Sequence, residues 1–216
     1  YAHAVFQYFI RNAPNQEMGR KFKVSFSASD ADTGLSYLHD LGFIAKIENG
    51  VRGFKVLLGG GLGAQPRHAD NLFDFLPTDK IVPLMENVVR VFDRYGERNN
   101  RNKARMKFLI QNMGLEKFKE LLKEEELAVP FSTYPIDAEV YPKVKIADLK
   151  EVPQVEIKDQ KAFEQWKSTN LVPQKQEGFV AIGIRVKLGD FYTKEARQLA
   201  DLVEKYAAGE LRMTLR

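Results

Sequence analysis

Apolar and polar positions alternate plainly at Phe22, Val24 and Phe26 against Lys21, Lys23 and Ser25. Period two marks a half-buried strand, so residues 19–26 are expected as a strand with both lysines on one face. Apolar runs at Gly42–Glu48 and Arg52–Leu58 flank Asn49-Gly50. Asn-Gly there predicts a type I′ hairpin, because both central residues need positive φ. Ile81, Leu84, Met85, Val88, Val91, Phe92 and Tyr95 recur at helical spacing and predict a helix from about 79 to 95, stopped by Gly96. Further helices are expected over 2–10, 34–41, 100–113 and 115–126. Another is expected to be capped by Thr193, to present Ala196, Leu199, Leu202, Val203 and Tyr206, and to end at Gly209. Strands are expected over 178–188 and 211–215. The stretch 130–176 is proline-rich with little periodicity, and reads as an ordered connector holding a strand near 152–157.

The sum is an α+β chain. A mixed or antiparallel sheet with helices occupies 1–128, a connector 129–176, and a strand–helix–strand unit 177–216. That last unit is half of a split-βαβ, ferredoxin-like fold. With 216 residues, 44% hydrophobic and 29% charged, the chain can bury a core. A net charge of +4 suits an anionic ligand or acidic partner and falls short of a nucleic-acid signature. Cysteine is absent, so these residues form no disulfide and supply no thiolate to a metal or cluster. No apolar run reaches membrane length, and no signal peptide opens the chain. Tyr1 at the start and the strand-like end both read as cut from a longer protein.

Three features carry candidate chemistry. The ammonium groups of Lys21 and Lys23 repel each other, which is tolerable at a solvated edge or beside an anion. Composition alone favours the solvated edge. Gly59 to Ala64 fits the G-x-G-x-x-A dinucleotide pattern. The strand before it belongs to a hairpin, Pro66 sits early in the supposed helix, and no acidic strand end follows at the expected distance, so the match is rejected. An anion- or nucleotide-binding module built on that loop is the alternative reading. Arg98, Arg101 and Arg105 fall at i, i+3 and i+7, giving either a solvated face of a basic interaction domain or a clamp for carboxylates.

Together the pieces resemble the siroheme-dependent sulfite and nitrite reductases. The resemblance rests on Arg20-Lys21-Phe22-Lys23, Asp40-Leu41-Gly42-Phe43, Gly53 through Gly63, Phe92 through Arg101 with Ala104-Arg105, Gly189-Asp190, and Gly209 through Thr214. It implies part of an oxidoreductase that reduces sulfite to sulfide, or nitrite to ammonia, in a six-electron reaction. The cofactors implied are siroheme (a heme) and an iron–sulfur 4Fe-4S cluster, and electrons come from ferredoxin or a flavoprotein subunit. It implies a siroheme-binding α/β domain followed by part of a second ferredoxin-like half-domain. Lys21 and Lys23 look like the lysines that hold the substrate anion and feed protons. Arg20 looks like a contact to a siroheme carboxylate; Gly60, Gly61, Arg98, Arg101, Arg212 and Thr214 fall to the siroheme side too. Nitrite-specific members tend to carry Asn where Lys23 stands, which tilts the reading toward sulfite. A cytoplasmic setting is expected, with no nucleic acid or membrane partner and no metal ligand in the chain. Without the cluster cysteines, these residues alone are expected to bind neither cofactor tightly and to turn nothing over.

Overall fold

In the computed structural model, residues 1–138, 155–174, 177–207 and 209–214 are described. They fall into two units, the first carried by residues 1–138 and the second within 155–213.

The first unit grows from the Asn-Gly hairpin. Asn49 and Gly50 take φ of 49° and 79°, and Glu48 pairs with Val51 across them. They join β2 (Leu41–Glu48) to β3 (Val51–Leu58). The short β1 (Val24–Ser27) runs parallel to β2, and β4 (Asp70–Pro77) runs antiparallel to β3, giving the order β1-β2-β3-β4. The sheet is mixed, as expected. Strand β4 was not foreseen, because its alternation is broken: the register against β3 shifts between Phe54, Val56 and Leu57.

Four helices complete the unit: α1 (Ala2–Ile10), α2 (Ile81–Tyr95), α3 (Met106–Met113) and α4 (Leu115–Glu126). Leu41, Phe43, Phe54, Val56 and Leu58 of the sheet pack with Ile81, Val88, Val91 and Phe92 of α2 and with Met106, Ile110 and Phe118. Phe26 stacks on Phe43 at 4.7 Å, and Phe54 meets both rings edge-on. Such contacts add about 0.5–1.5 kcal/mol each beyond burial.

Several expectations are corrected. The strand expected over 19–26 is confined to Val24–Ser27, and the lysines lie in the segment just before it. Ser25 is buried, not solvated; its hydroxyl donates to the Gly34 carbonyl. The helix expected over 34–41 is only a 3-10 turn, Ser36–Leu38, because Asp32 and Leu35 take positive φ. The helix expected from 100 starts at Met106; a separate 3-10 turn spans Arg101–Lys103, held by the Asn100 side chain accepting from the Asn102 amide.

Asp32 organises the polar loop after β1. It accepts from the Ser27 hydroxyl at 2.6 Å and the Ser36 amide at 2.8 Å. Burial alone would raise its pKa, but these hydrogen bonds outweigh it and hold the carboxyl below the usual carboxylate range. A lowered folded value stabilises the fold above the unfolded value, about 3.9, and that stabilisation is lost as pH falls through the folded one. The unfolding midpoint of the wild type should therefore fall more steeply below about pH 4 than that of Asp32→Asn. Parallel curves for the two proteins would contradict this.

In the second unit, α5 (Gln160–Asn170) leads into β5 (Leu171–Pro173), which pairs antiparallel with β6 (Val180–Ile182), and α6 (Thr193–Tyr206) follows. Helix α5 lies in the stretch read as connector. Its cap is Asp159, whose carboxylate accepts from the Ala162 amide at 2.9 Å. The strand expected over 178–188 shrinks to Val180–Ile182, and Thr193 is the first helical residue, not the cap. Residues 211–214 form no strand, and neither do 155–157; Leu215 and 152–154 lie outside the described residues. No described residue of this unit is buried, and Leu202 and Tyr206 of α6 are exposed.

Candidate functional site: a lysine pair beside a glycine loop

Lys21 and Lys23 point outward and Phe22 inward, where its ring lies 5.8 Å from Phe92 of α2. Both lysines are exposed, and among the described residues neither ammonium group has a hydrogen-bond or ion-pair partner. The repulsion between them is thus not relieved by a neighbouring carboxylate.

What fixes this segment is Asp40, at the start of β2 and fully buried. Its Oδ2 accepts from the Lys23 amide at 2.9 Å, and the Leu41 amide donates to the Lys23 carbonyl at 3.1 Å. Arg105 grips the same carboxylate with two nitrogens, Nη2 at 2.8 and 3.0 Å and Nε at 3.3 Å. The Asp40 carbonyl accepts from the Gly59 amide at 2.8 Å. One residue therefore ties the lysine segment, Arg105 and the glycine loop together.

The loop is set by close packing. Gly59, Gly60 and Gly61 are buried. Gly61 and Arg67 exchange two backbone hydrogen bonds of 2.9 Å, closing the loop that Leu62 to Pro66 form. Lys107 on α3 donates to the Leu62 carbonyl at 3.0 Å and to the Gln65 carbonyl. Gly61 leaves room for Arg105 and Lys107; a Cβ there would lie 3.2 Å from the Lys107 Cδ. A methyl group on Gly60 would lie 2.3 Å from the Tyr37 carbonyl oxygen and 2.8 Å from that of His39. Gly60→Ala should therefore cost about 1–3 kcal/mol or more, since backbone must move. An unchanged urea midpoint would show that the loop relaxes freely.

Strand β4, not a helix, follows the loop, so the nucleotide-binding alternative lacks the helix that should continue from its glycines and cradle a phosphate. The three arginines do not share a helix face. Arg105 is 14% exposed and committed to Asp40, Arg98 donates to the Asp93 carbonyl at 2.7 Å and pairs with its carboxylate, and Arg101 is exposed on its 3-10 turn. The clamp for a carboxylate exists at Arg105, but the carboxylate is internal. Arg105 is thereby withdrawn from the basic surface expected of an interaction domain, while Arg98 and Arg101 stay exposed.

Arg20, half-buried beside Lys21, carries a buried Nε with no partner among the described residues. It lines a crevice with Gly19, Phe92 and Arg98. Arg212 belongs to the second unit, is exposed and pairs with Glu210; Thr214 is exposed in the tail after α6. A larger cavity of about 360 Å³ lies between α1, α2 and Phe131, around Glu86, and neither lysine lines it. Among the described residues no group of His, Asp and Glu could hold a metal. Asp40 and Lys107 are the residues whose roles sequence reasoning missed. Asp40 stood in a quoted motif, but the chain distance of 65 residues to Arg105 left no local signal of their pairing.

Comparison with known proteins adds the following. The profile described as "Nitrite and sulphite reductase 4Fe-4S domain" matches residues 2–131, and "Nitrite/Sulfite reductase ferredoxin-like half domain" matches 172–216. The chloroplastic ferredoxin–nitrite reductase of Oryza sativa is 27% identical over 211 residues, covering 96% of this chain and 32% of that protein. The sulfite reductase [NADPH] hemoprotein beta-component of Shewanella putrefaciens is 39% identical over 108 residues, 46% of this chain and 19% of its own. The NirA protein of Mycobacterium tuberculosis aligns in structure with a TM-score of 0.51 and 29% identity, over 62% of this chain and 24% of that one. The chain thus spans about a third of the length of the rice reductase, 32%.

Proposed function

The chain belongs to the nitrite and sulphite reductase family, and we propose that it supplies the anion-handling lysines of a siroheme-dependent sulfite or nitrite reductase. The observation that carries this reading is the pair of exposed ammonium groups of Lys21 and Lys23, without a partner among the described residues, on a backbone pinned by Asp40.

Siroheme is a carboxylate-rich macrocycle, and bound it supplies the redox-active iron. The residues here fit it: among the described residues, the buried Nε of Arg20 and the ammonium groups of Lys21 and Lys23 have no partner. Arg20 takes a carboxylate, since guanidinium pairs with planar oxyanions. Lys21 and Lys23 donate hydrogen bonds to the substrate anion, cancel its charge, and deliver protons as its oxygens leave as water. The packed Gly60 and Gly61 keep the loop backbone beside that surface. Arg98 sits over Gly19 and holds the approach to Arg20; Arg101, Arg212 and Thr214 are assigned to the siroheme side on family resemblance alone. A 4Fe-4S cluster takes cysteine thiolates; this chain has none, so its ligands are not among these residues.

Lys23 favours sulfite over nitrite, and ferredoxin or a flavoprotein subunit is the donor class. The setting is read as cytoplasmic. No helix among the described residues is long and apolar enough to cross a membrane. The test is steady-state assay of the intact reductase with reduced ferredoxin or an artificial reductant. Sulfide from sulfite or ammonia from nitrite is expected, with the larger kcat/KM for sulfite. Reduction of neither anion would end the proposal.

A further inference from the structure

We infer that Asp40 and Arg105 are positioning residues for the proposed reaction, setting where the Lys23 ammonium points. The inference rests on the functional reading above and names a device that reading does not require.

Three observations carry it. First, Asp40 bonds the backbone of Lys23, not its side chain: the amide donates to Oδ2 at 2.9 Å. The contact fixes the backbone from which the ammonium extends and leaves the ammonium free. Second, Asp40 is fully buried and Arg105 is 14% exposed, with two guanidinium nitrogens on the one carboxylate. A planar fork on a carboxylate fixes orientation as well as distance, which a single ammonium contact does not. Third, the segment bearing the lysines is not itself a sheet strand; β1 begins only at Val24. The backbone contacts at Lys23 run to Asp40 and to Leu41 beside it. Without Asp40, the segment keeps the Phe22 anchor and the Leu41 amide but loses its orientation at Lys23.

Preorganised charge stabilises a transition state only while it is held in place, and misplacement of about 1 Å can cost about 100-fold in rate. Arg105 therefore acts on turnover through Asp40 and the Lys23 backbone, with no contact to the substrate anion.

The experiment uses the intact reductase carrying Arg105→Lys, and Asp40→Asn as a second variant, each confirmed folded by its melting transition. Two readouts are taken. Amide hydrogen exchange at Lys23, independent of cofactor activity, should speed up by about tenfold or more in both variants. The kcat should fall by about tenfold or more while KM for the anion changes by less than about threefold, because position and not charge is lost. In a Lys23→Ala background, Arg105→Lys should cost less than about twofold in kcat. Unchanged exchange at Lys23, or a kcat loss that adds in full to that of Lys23→Ala, would overturn the inference. If Lys23→Ala itself leaves kcat unaltered, the functional reading fails instead, and the exchange result still judges the positioning of the backbone. The two failures are thus separate.

Discussion

Replacing Lys21 and Lys23 together by alanine is expected to lower kcat/KM of the intact reductase by about 10²–10⁴-fold, the range that general acid and electrostatic groups supply. Each single variant should lose at least about tenfold. Stability should barely move, within about 0.5 kcal/mol, because both side chains are exposed and neither has a partner to lose among the described residues. That contrast separates function from packing: two cations that contribute nothing to the fold are expected to carry much of the rate. Conversion to Arg would keep the charge but not the compact, transferable proton, so Lys23→Arg should recover anion binding more than turnover. Steady-state kinetics with sulfite and with nitrite, set beside urea unfolding, decides the matter. Normal turnover of the double variant would remove the lysines from the mechanism.

Asp40→Ala should be the most damaging single change to the fold, at about 3–5 kcal/mol, the cost of breaking a buried ion pair from one side. The loss has several parts. Arg105 keeps its charge at 14% exposure with no carboxylate to meet it, and the Lys23 amide loses its acceptor. A cavity opens where the carboxylate met the Lys23 amide and the Arg105 guanidinium. The double change Asp40→Leu with Arg105→Met should cost less than Asp40→Ala alone, because no charge is then stranded. A chemical-denaturation midpoint for each variant tests this. Equal losses for the single and double changes would mean that packing, and not the stranded charge, dominates.

How much of this was legible in the chain depends on how local the signals were. The hairpin was read correctly because Asn49-Gly50 carries its own backbone geometry, and α2 because its apolar stripe recurs over several turns. Strand β4 hid behind a register shift that breaks its alternation, and α5 behind a mostly polar sequence whose Phe163 and Trp166 are too few to mark a face. The lysines' exposure followed from alternation even though the ladder itself starts later, at Val24. The segments that carry the family resemblance include Asp40. The resemblance did not reveal why Asp40 matters, since its partners Lys23, Gly59 and Arg105 meet only in the folded chain. The arginine series misled for the same reason: helical spacing was assumed across residues 98–105, where the backbone turns instead.

The most direct measurement is a crystal structure of the intact reductase with siroheme and sulfite bound. The account predicts the Lys21 and Lys23 Nζ atoms within about 3.2 Å of sulfite or siroheme oxygens, with the Lys23 amide still on Asp40. Both ammonium groups directed into bulk solvent, with the anion held by other residues, would contradict it.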